Sequence, residues 1–404
     1  MDSPKRVLFF AEAVTLAHVA RPVALARGLD PARYEVVMAC DSRYQHFLER
    51  ESWQTQPLHS ISSYQFLQAL ARGNPVYDTA TLRGYVREDI KLIEQIKPDL
   101  IVGDFRLSLS VSARLVGIPY TAITNAYWSP HYAHKGFPLP VLPMTRFLPL
   151  PVAEMLFRLA RPLAFGLHCI PLNRVRQENG LPSLGTDLRR VYTDADCTLY
   201  ADIPELFPTE NLPTTHHYLG PILWSPPVAK PAWWDGLPPD KPVVYLTLGS
   251  SGQARLLPTV LEALGNLPVT VIVATAGAAI PQHVPTNVYI ANYLPGTETA
   301  ARAKLVICNG GSPTSQQALA AGVPVLGIAS NMDQFLNMGA VVEAGAGVLL
   351  RADRLDAGAV RAAVTEMFAV SVYADSAARL AAIFAHYPAS ERFAAIAGQL
   401  VRPR

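Results

Sequence analysis

The chain has 404 residues, which at about 150 residues per domain predicts two or three domains. Half of the residues are hydrophobic and 16% are charged, a composition that excludes an intrinsically disordered protein. The 34 basic and 32 acidic residues leave a net charge of +2. This balance argues against nucleic-acid binding, because such binding requires clustered cations.

The four cysteines form no CxxC or zinc-binding pattern. At this chain length they predict no disulfide framework, so a reducing, cytoplasmic location is expected. The amino-terminal run VLFFAEAVTLAHVA resembles a signal peptide, but Glu12 interrupts it, and a β-strand over residues 7–10 is the better interpretation. Prolines and polar residues break the other apolar stretches, so no membrane span is predicted.

Short apolar runs alternate with longer helical patterns in the first half of the chain, which is typical of βαβ units and a parallel sheet. The predicted strands cover residues 7–10, 34–39, 100–102, 120–123 and 198–200. The predicted helices cover residues 21–28, 82–96 and 108–115.

Two segments depart from this alternation. Residues 136–172 are apolar and proline-rich. They are interpreted as a loop and a helix packed on a core, or as the wall of a hydrophobic pocket or a surface resting on a membrane. Residues 220–242 hold many prolines and three tryptophans with little periodicity, which predicts a linker.

The alternation restarts after residue 242. Strands are predicted at 243–248, 270–274, 288–290, 305–308 and 325–328, with helices such as 256–264 and 315–321 between them. The predicted fold class is therefore α/β, with two Rossmann-like domains facing a central cleft. We expect a first domain over 1–219, the linker over 220–242, a second domain over 243–385, and a helix in 386–404 that packs back on the first domain.

Several common catalytic markers are missing from the sequence: GxGxxG, GxxxxGK[ST] and GxSxG. Segment 305–337 instead carries a strand, a glycine-rich turn, a helix, Gly-Val-Pro, a second strand and Asp-Gln. Backbone N–H groups at a turn entering a helix bind anions such as a diphosphate. Asp333 and Gln334 can hold sugar hydroxyls. An ordinary helix cap and loop is the alternative interpretation.

This segment resembles the nucleotide-sugar signature of the family 1 inverting glycosyltransferases, which reads His-Gly-Gly-x-Gly-Thr, an acidic residue, Gly-Val-Pro and Asp-Gln. The corresponding residues here are Asn309-Gly310-Gly311-Ser312-Pro313-Thr314, Gln317, Gly322-Val323-Pro324 and Asp333-Gln334. The 25-residue step from Asn309 to Gln334 equals the spacing in the family. The amino-terminal HxxxP, TLGSS after the linker and Tyr-Leu-Pro before the signature extend the resemblance, which implies the GT-B fold.

The resemblance implies donor-binding roles by position. Tyr293 stands where an aromatic residue stacks on the base, and Gln317 where a Glu holds the ribose. Asp333 and Gln334 stand at the sugar hydroxyls. The diphosphate site is implied at Gly249, Ser250, Asn309, Gly311 and Thr314.

Three departures from the family pattern bear on donor identity and affinity. Asn309 replaces a His that contacts the phosphate, Pro313 removes a backbone N–H, and Gln317 replaces the Glu. They also motivate a second hypothesis, a degenerate homologue that binds or activates a partner.

His18 follows the first predicted strand and its loop, and Asp104 follows another strand at its carboxyl end. An Asp bonded to one imidazole nitrogen fixes the tautomer and leaves the other nitrogen as a base. The resemblance assigns the same roles: His18 as general base on the acceptor hydroxyl, and Asp104 as its partner. Ala17 stands where the family usually has Gly.

The acceptor is poorly specified by the sequence. Tyr127, Trp128 and His131 follow a predicted strand and are candidates to contact an acceptor, although core packing explains them equally well. With the apolar segment 136–172, they favour a hydrophobic acceptor.

The resemblance thus implies an inverting glycosyltransferase that needs no metal or other cofactor. It is expected to move a hexose from a nucleotide diphosphate sugar, UDP-sugar being favoured and dTDP-sugar possible, to a hydroxyl of a hydrophobic small molecule. A transferase that works on a lipid acceptor at the inner face of the membrane is the main alternative. A nucleotide-sugar 2-epimerase is disfavoured because no carboxylate cluster accompanies the signature.

Overall fold

The alternating pattern folds into two parallel α/β sheets, each in its own compact unit. A computed structural model of the chain describes residues 3–133, 136–249 and 254–401. The first unit comprises Met1–Lys135, Glu154–Ile222 and Tyr387–Arg404, and the second comprises Gly136–Ala153 and Leu223–His386.

The sheet of the first unit has the strand order β3-β2-β1-β4-β5-β6-β7, with all neighbours parallel. Its strands are β1 (Lys5–Ala11), β2 (Tyr34–Cys40), β3 (Gln54–Pro57), β4 (Leu100–Asp104), β5 (Tyr120–Thr124), β6 (Cys197–Tyr200) and β7 (His216–Tyr218). The helices along this part of the chain are α1 (Ala17–Ala26), α2 (Ser63–Arg72), α3 (Thr79–Ile96), α4 (Leu109–Val116), α5 (Leu150–Glu178) and α6 (Leu188–Tyr192).

The sheet of the second unit has the order β10-β9-β8-β11-β12-β13, again with all neighbours parallel. Its strands are β8 (Val243–Thr247), β9 (Thr270–Ala274), β10 (Val288–Ala291), β11 (Leu305–Cys308), β12 (Val325–Ala329) and β13 (Gly347–Arg351). Its helices are α7 (Leu257–Gly265), α8 (Gly296–Arg302), α9 (Ser312–Ala320), α10 (Met332–Glu343), α11 (Ala357–Ala369) and α12 (Val372–Phe384).

The last helix, α13 (Ala389–Leu400), belongs to the first unit. Phe393 is buried with its ring centroid 5.8 Å from that of Phe9 in β1. The Ser390 hydroxyl donates to the Ala24 carbonyl at the end of α1.

Residues 136–153 pack in the second unit, although the sequence analysis placed them in the first domain. The backbone N–H of Val141 donates to Ser330 O, and the Thr145 hydroxyl donates to Asp353 at 2.6 Å. Helix α5 is 29 residues long and continues through Pro162 and Pro171, in the segment where the sequence predicted a loop and a helix.

All four cysteines are free and buried. Burial raises the pKa of the Cys308 thiol to about 12. In the described parts of the chain, no single helix has the length and apolar composition to span a membrane. One bent pair, Ala357–Ala369 with Val372–Leu400, passes that test by length and composition, with a 72° bend.

Candidate active site

His18 and Asp104 lie together at the carboxyl ends of neighbouring strands. Asp104 is the last residue of β4, and β1 leads into α1, where His18 is the second residue. The sequence predicted this helix over residues 21–28; the structure corrects the prediction, because α1 begins at Ala17 and includes His18. His18 Nδ1 lies 2.8 Å from Asp104 Oδ1. When Nδ1 donates to the carboxylate, Nε2 is an acceptor and can take a proton.

Arg21 lies beside the His18–Asp104 pair, and the sequence analysis did not assign it a role. It lies three residues after His18 and hence on the same face of α1. Arg21 Nη2 donates to Asp104 Oδ1 at 2.9 Å, and Arg21 Nε lies 2.7 Å from Asp104 Oδ2. Asp104 is fully buried and Arg21 is 6% exposed. The one signal in the sequence that points to Arg21 is the HxxxP motif, in which Arg21 directly precedes the conformationally restricted Pro22.

Two further buried groups hold Arg21 from the other side. Arg21 Nη1 donates to Asn125 Oδ1 at 2.9 Å, directly after β5. The Asn125 amide donates to Asp202, which also accepts from the backbone N–H of Ala126. A chain of charged and polar side chains thus crosses the carboxyl ends of β1, β4, β5 and the region after β6.

An aromatic cluster adjoins His18. The Phe105 ring stacks on the imidazole, with centroids 4.9 Å apart and planes 15° apart. Phe105 has φ of +60°, an uncommon conformation for a bulky residue that costs about 1–3 kcal/mol and concentrates at functional sites. Tyr192 lies 5.6 Å from Phe105 and 5.2 Å from Trp128. Phe105, Tyr192 and Trp128 are half-buried, so they present an apolar surface near the base.

The structure separates the three acceptor candidates. Tyr127 is fully buried, 5.1 Å from the Phe207 ring, which fits core packing. Trp128 joins the aromatic cluster near His18. His131 is half-buried and lies 5.5 Å from the His216 ring, so it belongs to a different group of side chains.

A second charged cluster is completely buried in the first unit. Arg106 donates to Glu12 at 2.9 Å and to Asp89 at 2.9 and 3.0 Å, and all three are fully buried. Its guanidinium lies 3.6 Å from the Tyr85 ring centroid. Burial raises the pKa of Glu12 and of Asp89 in spite of Arg106, because one guanidinium faces both carboxylates and Glu88 as well.

In the second unit, the glycine-rich turn lies beside the end of β8. Gly249 has φ of +63°, and a Cβ there would lie 3.2 Å from Asn309 Nδ2. Asn309 Oδ1 accepts from the backbone N–H of Gly311, which precedes α9. Gly249, Asn309 and Gly311 are thus brought together just beyond the carboxyl ends of the adjacent strands β8 and β11. Ser250 lies outside the described residues.

Gln334 and Asn331 cap α10 reciprocally. Gln334 Oε1 accepts from the backbone N–H and hydroxyl of Ser330 at 2.8 and 3.0 Å, and Asn331 Oδ1 accepts from the Gln334 N–H. Gln334 is 1% exposed, and its Nε2 has no hydrogen-bond partner among the described residues. Asp333, in the first turn of α10, is half-buried. The capping role of Gln334 was the alternative interpretation of this motif.

The remaining donor candidates surround α9. Thr314 is its third residue and is half-buried, and Tyr293 is half-buried in the loop between β10 and α8. Gln317 is 9% exposed and its Nε2 donates to the Trp224 carbonyl. A Cβ at Gly296 would lie 2.8 Å from Gln317 Oε1, so this amide fills a tight space. Within the described ranges, no group of three or more His, Cys, Asp and Glu side chains could hold a metal ion.

Comparison with known proteins decides the family. Residues 258–400 match the domain described as "Erythromycin biosynthesis protein CIII-like, C-terminal domain". A Mycobacterium tuberculosis (strain H37Ra) protein named PGL/p-HBAD biosynthesis glycosyltransferase is 56% identical over 380 residues, which cover 94% of this chain and 89% of that protein. The chain belongs to the family 1 glycosyltransferases.

Further relatives refine this placement of the glycosyltransferase. A PGL/p-HBAD biosynthesis rhamnosyltransferase of Mycobacterium bovis (strain BCG) is 56% identical over 94% of this chain and 84% of its own length. A relative from the same strain named as an inactive PGL/p-HBAD biosynthesis glycosyltransferase is 56% identical over 65% of this chain and 71% of its own. The solved spinosyn rhamnosyltransferase complexed with thymidine diphosphate superposes with a TM-score of 0.70 at 18% identity, covering 98% and 100%. The fold is therefore GT-B, as the resemblance implied.

Proposed function

We propose that this glycosyltransferase moves a rhamnose-like deoxyhexose from a UDP- or dTDP-sugar to a hydroxyl of a hydrophobic acceptor, with inversion and without a metal ion. The observation that carries the proposal is the His18–Asp104 pair at 2.8 Å, next to the half-buried aromatic side chains Phe105, Trp128 and Tyr192. The rhamnosyltransferase name of a 56%-identical relative supports the deoxyhexose.

In this proposal His18 acts as the general base. Nε2 takes the proton of the acceptor hydroxyl while the oxygen forms its bond to the anomeric carbon. The bond from that carbon to the diphosphate oxygen breaks, and the electron pair leaves with the nucleotide. Asp104 holds the ring and stabilises the imidazolium that forms. Phe105, stacked on the imidazole, keeps the ring in plane and contacts an apolar acceptor.

The donor site is proposed at the carboxyl ends of β8, β11 and β12. The beginning of α9, directly after the turn at Asn309 and Gly311, presents backbone N–H groups toward a diphosphate. Pro313 removes one such N–H, so Thr314 and the Asn309 amide supply side-chain donors in its place. Asp333 and the Gln334 amide are proposed to hold sugar hydroxyls, and Tyr293 to stack on the base.

Replacing His18 by Ala tests the catalytic half of this proposal. A general base contributes roughly 10²–10⁴-fold to the rate, so kcat for sugar transfer is expected to fall by at least about 100-fold. His283→Ala, at an exposed position of the second unit, serves as the control and is expected to leave kcat unchanged. Wild-type turnover by His18→Ala would show that His18 is not the base.

Thermal unfolding with UDP, dTDP, GDP and ADP tests the donor half. A nucleotide at 100 times its Kd stabilises by about 2.7 kcal/mol, which is a readily measured increase in Tm. A selective increase with UDP or dTDP identifies the donor nucleotide. An unchanged Tm with all four nucleotides would favour a degenerate homologue that binds a partner. The relative that is named inactive supports this alternative.

A second candidate function, transfer to a lipid acceptor at a membrane surface, is favoured by α5. Five large apolar side chains on this helix recur every three or four residues and are at least half exposed: Met155, Leu159, Leu163, Leu167 and Ile170. This spacing places them on one face. The opposite face, with Cys169, Leu172 and Val175, packs into the core of the first unit. Such an exposed apolar stripe is typical of helices that lie in a membrane interface.

A further inference from the structure

The guanidinium of Arg21, in the first unit, contacts both members of the proposed catalytic pair, and the proposed mechanism gives it no role. Arg21 Nη2 lies 2.9 Å from Asp104 Oδ1 and 3.1 Å from His18 Nδ1, and Arg21 Nε lies 2.7 Å from Asp104 Oδ2. One buried carboxylate is therefore shared between an imidazole and a permanently charged cation. Arg21 is held in this place by Asn125.

We propose that Arg21 is a positioning residue that keeps His18 neutral, and hence able to accept a proton, at neutral pH. The inference rests on the proposed role of His18 as the base. A buried carboxylate beside a histidine, with no other cation, favours the protonated imidazolium, which cannot act as a base. Arg21 compensates the charge of Asp104 and repels a second positive charge on the ring. Asp104 then still accepts from Nδ1–H, which leaves Nε2 free.

Asp104, held by Arg21, selects the tautomer, because only a protonated Nδ1 can donate to the carboxylate. An arginine has only donors. Its Nη2 donates to Asp104 Oδ1 at 2.9 Å and its Nε lies 2.7 Å from Oδ2 as an ion pair, so the guanidinium holds the carboxylate in one orientation. Its Oδ1 is then presented to His18 Nδ1 at 2.8 Å. A lysine supplies the charge but not the two-point grip.

Other titratable groups near these three residues do not replace Arg21. Tyr120, from β5, has its pKa raised by burial and stays neutral. Asp202 accepts from the Asn125 amide: Arg21 donates to Asn125, and Asn125 donates to Asp202. Helix α13, which packs on α1, brings Arg392, whose guanidinium donates to the Tyr218 carbonyl, and the exposed Glu391. Within the described residues, Arg21 is the cation in hydrogen-bond contact with Asp104.

The test compares Arg21→Gln and Arg21→Lys with wild type in kcat/KM from pH 5 to 9. For Arg21→Gln, the acid limb of the profile is expected to move up by about one pH unit or more. Activity at pH values below the wild-type limb then falls about tenfold and recovers toward the wild-type value at pH 9. For Arg21→Lys, the acid limb is expected to lie between those of wild type and Arg21→Gln. Arg176→Gln is the matched control, because Arg176 is also buried and ion-paired, to Asp194 at 2.5 Å.

An NMR titration of the His18 ring, assigned with His18→Gln, provides a readout that needs no substrate. The ring is expected to keep its proton to higher pH in Arg21→Gln than in wild type. A constant loss of activity at every pH, together with an unmoved His18 titration, would overturn the proposal and leave Arg21 a structural residue. That result is distinct from failure of the proposed function, which would appear as full activity in His18→Ala. If Arg21→Gln does not fold, Arg21→Lys carries the same two measurements.

Discussion

At the scale of single residues, Gln334 combines two tasks that a sequence motif cannot separate. Its Oε1 caps the first turn of α10, while its buried Nε2 has no partner among the described residues. A buried amide N–H without a partner is costly. In our proposal a sugar hydroxyl supplies the missing acceptor, so the cap and the ligand use opposite ends of one side chain.

Two substitutions separate these tasks. Gln334→Glu keeps an oxygen for the cap and removes the N–H donor, so the KM for the sugar donor is expected to rise about tenfold with Tm nearly unchanged. Gln334→Ala removes both and is expected to lose about 1 kcal/mol of unfolding free energy as well. Steady-state kinetics and thermal unfolding of both variants check this. An unchanged KM in Gln334→Glu would limit Gln334 to capping.

At the scale of elements, the exposed apolar face of α5 is where the proposal of a lipid acceptor at a membrane surface can be tested. Its exposed stripe includes Leu159 and Leu163, which are 73% and 70% exposed. If the stripe enters a lipid interface, the protein is expected to float with phosphatidylglycerol–phosphatidylcholine vesicles. Leu159→Glu combined with Leu163→Glu is expected to reduce flotation at least fivefold, since charges are expelled from the interface.

Ile280→Glu is the matched control for this experiment, because Ile280 is 62% exposed and belongs to the second unit. Equal flotation of the double variant and the control would exclude α5 as the contact. A concentration-dependent dimer that the double variant abolishes would show that a second copy covers the stripe instead.

At the scale of the whole molecule, the buried cluster around Arg106 ties together distant parts of the first unit. Glu12 follows β1, Asp89 lies in α3, and Arg106 follows β4. Removing one partner of a buried ion pair costs about 3–5 kcal/mol, because a buried charge is left uncompensated. The cluster therefore holds α3 in a fixed position against the sheet.

Arg106→Met is accordingly expected to lower the unfolding free energy by about 3–5 kcal/mol at pH 7.5, measured by urea unfolding. The pKa values of Glu12 and Asp89 are already raised by burial, so the folded state binds more protons than the unfolded state. This contribution to stability is full at low pH and is lost as the pH rises through the folded pKa values. The loss in Arg106→Met is therefore expected to be smaller at pH 5.

Arg83→Met is the control, since its ion pair with Glu178 is at the surface and such pairs contribute little. A loss in Arg106→Met that does not change between pH 5 and pH 7.5 would show that protonation of the two carboxylates does not compensate for the missing cation.

The sequence by itself determined most of the strands and the signature of this glycosyltransferase, but it did not predict β3, β7 and β13. Apolar runs such as 270–274 and 305–308 coincide with β9 and β11, because a buried parallel strand is specified by its own continuous hydrophobicity. Asn309 and Gly311 directly follow β11, and Gln334 lies in α10, which follows the neighbouring strand β12, so local spacing was enough to group them. The GT-B fold also followed from the sequence, through its resemblance to the family.

Only the tertiary structure decided which side chains from distant parts of the sequence contact each other. Arg21 meets Asp104 and Asn125 from 83 and 104 residues away, and no local pattern records such a pairing. The same holds for Phe105 and Tyr192, which meet beside His18, and for residues 136–153, whose hydrogen bonds lead to β13 and its surroundings in the second unit. Periodicity specifies which face of an element is buried, whereas the partner on that face is fixed by strand order and packing.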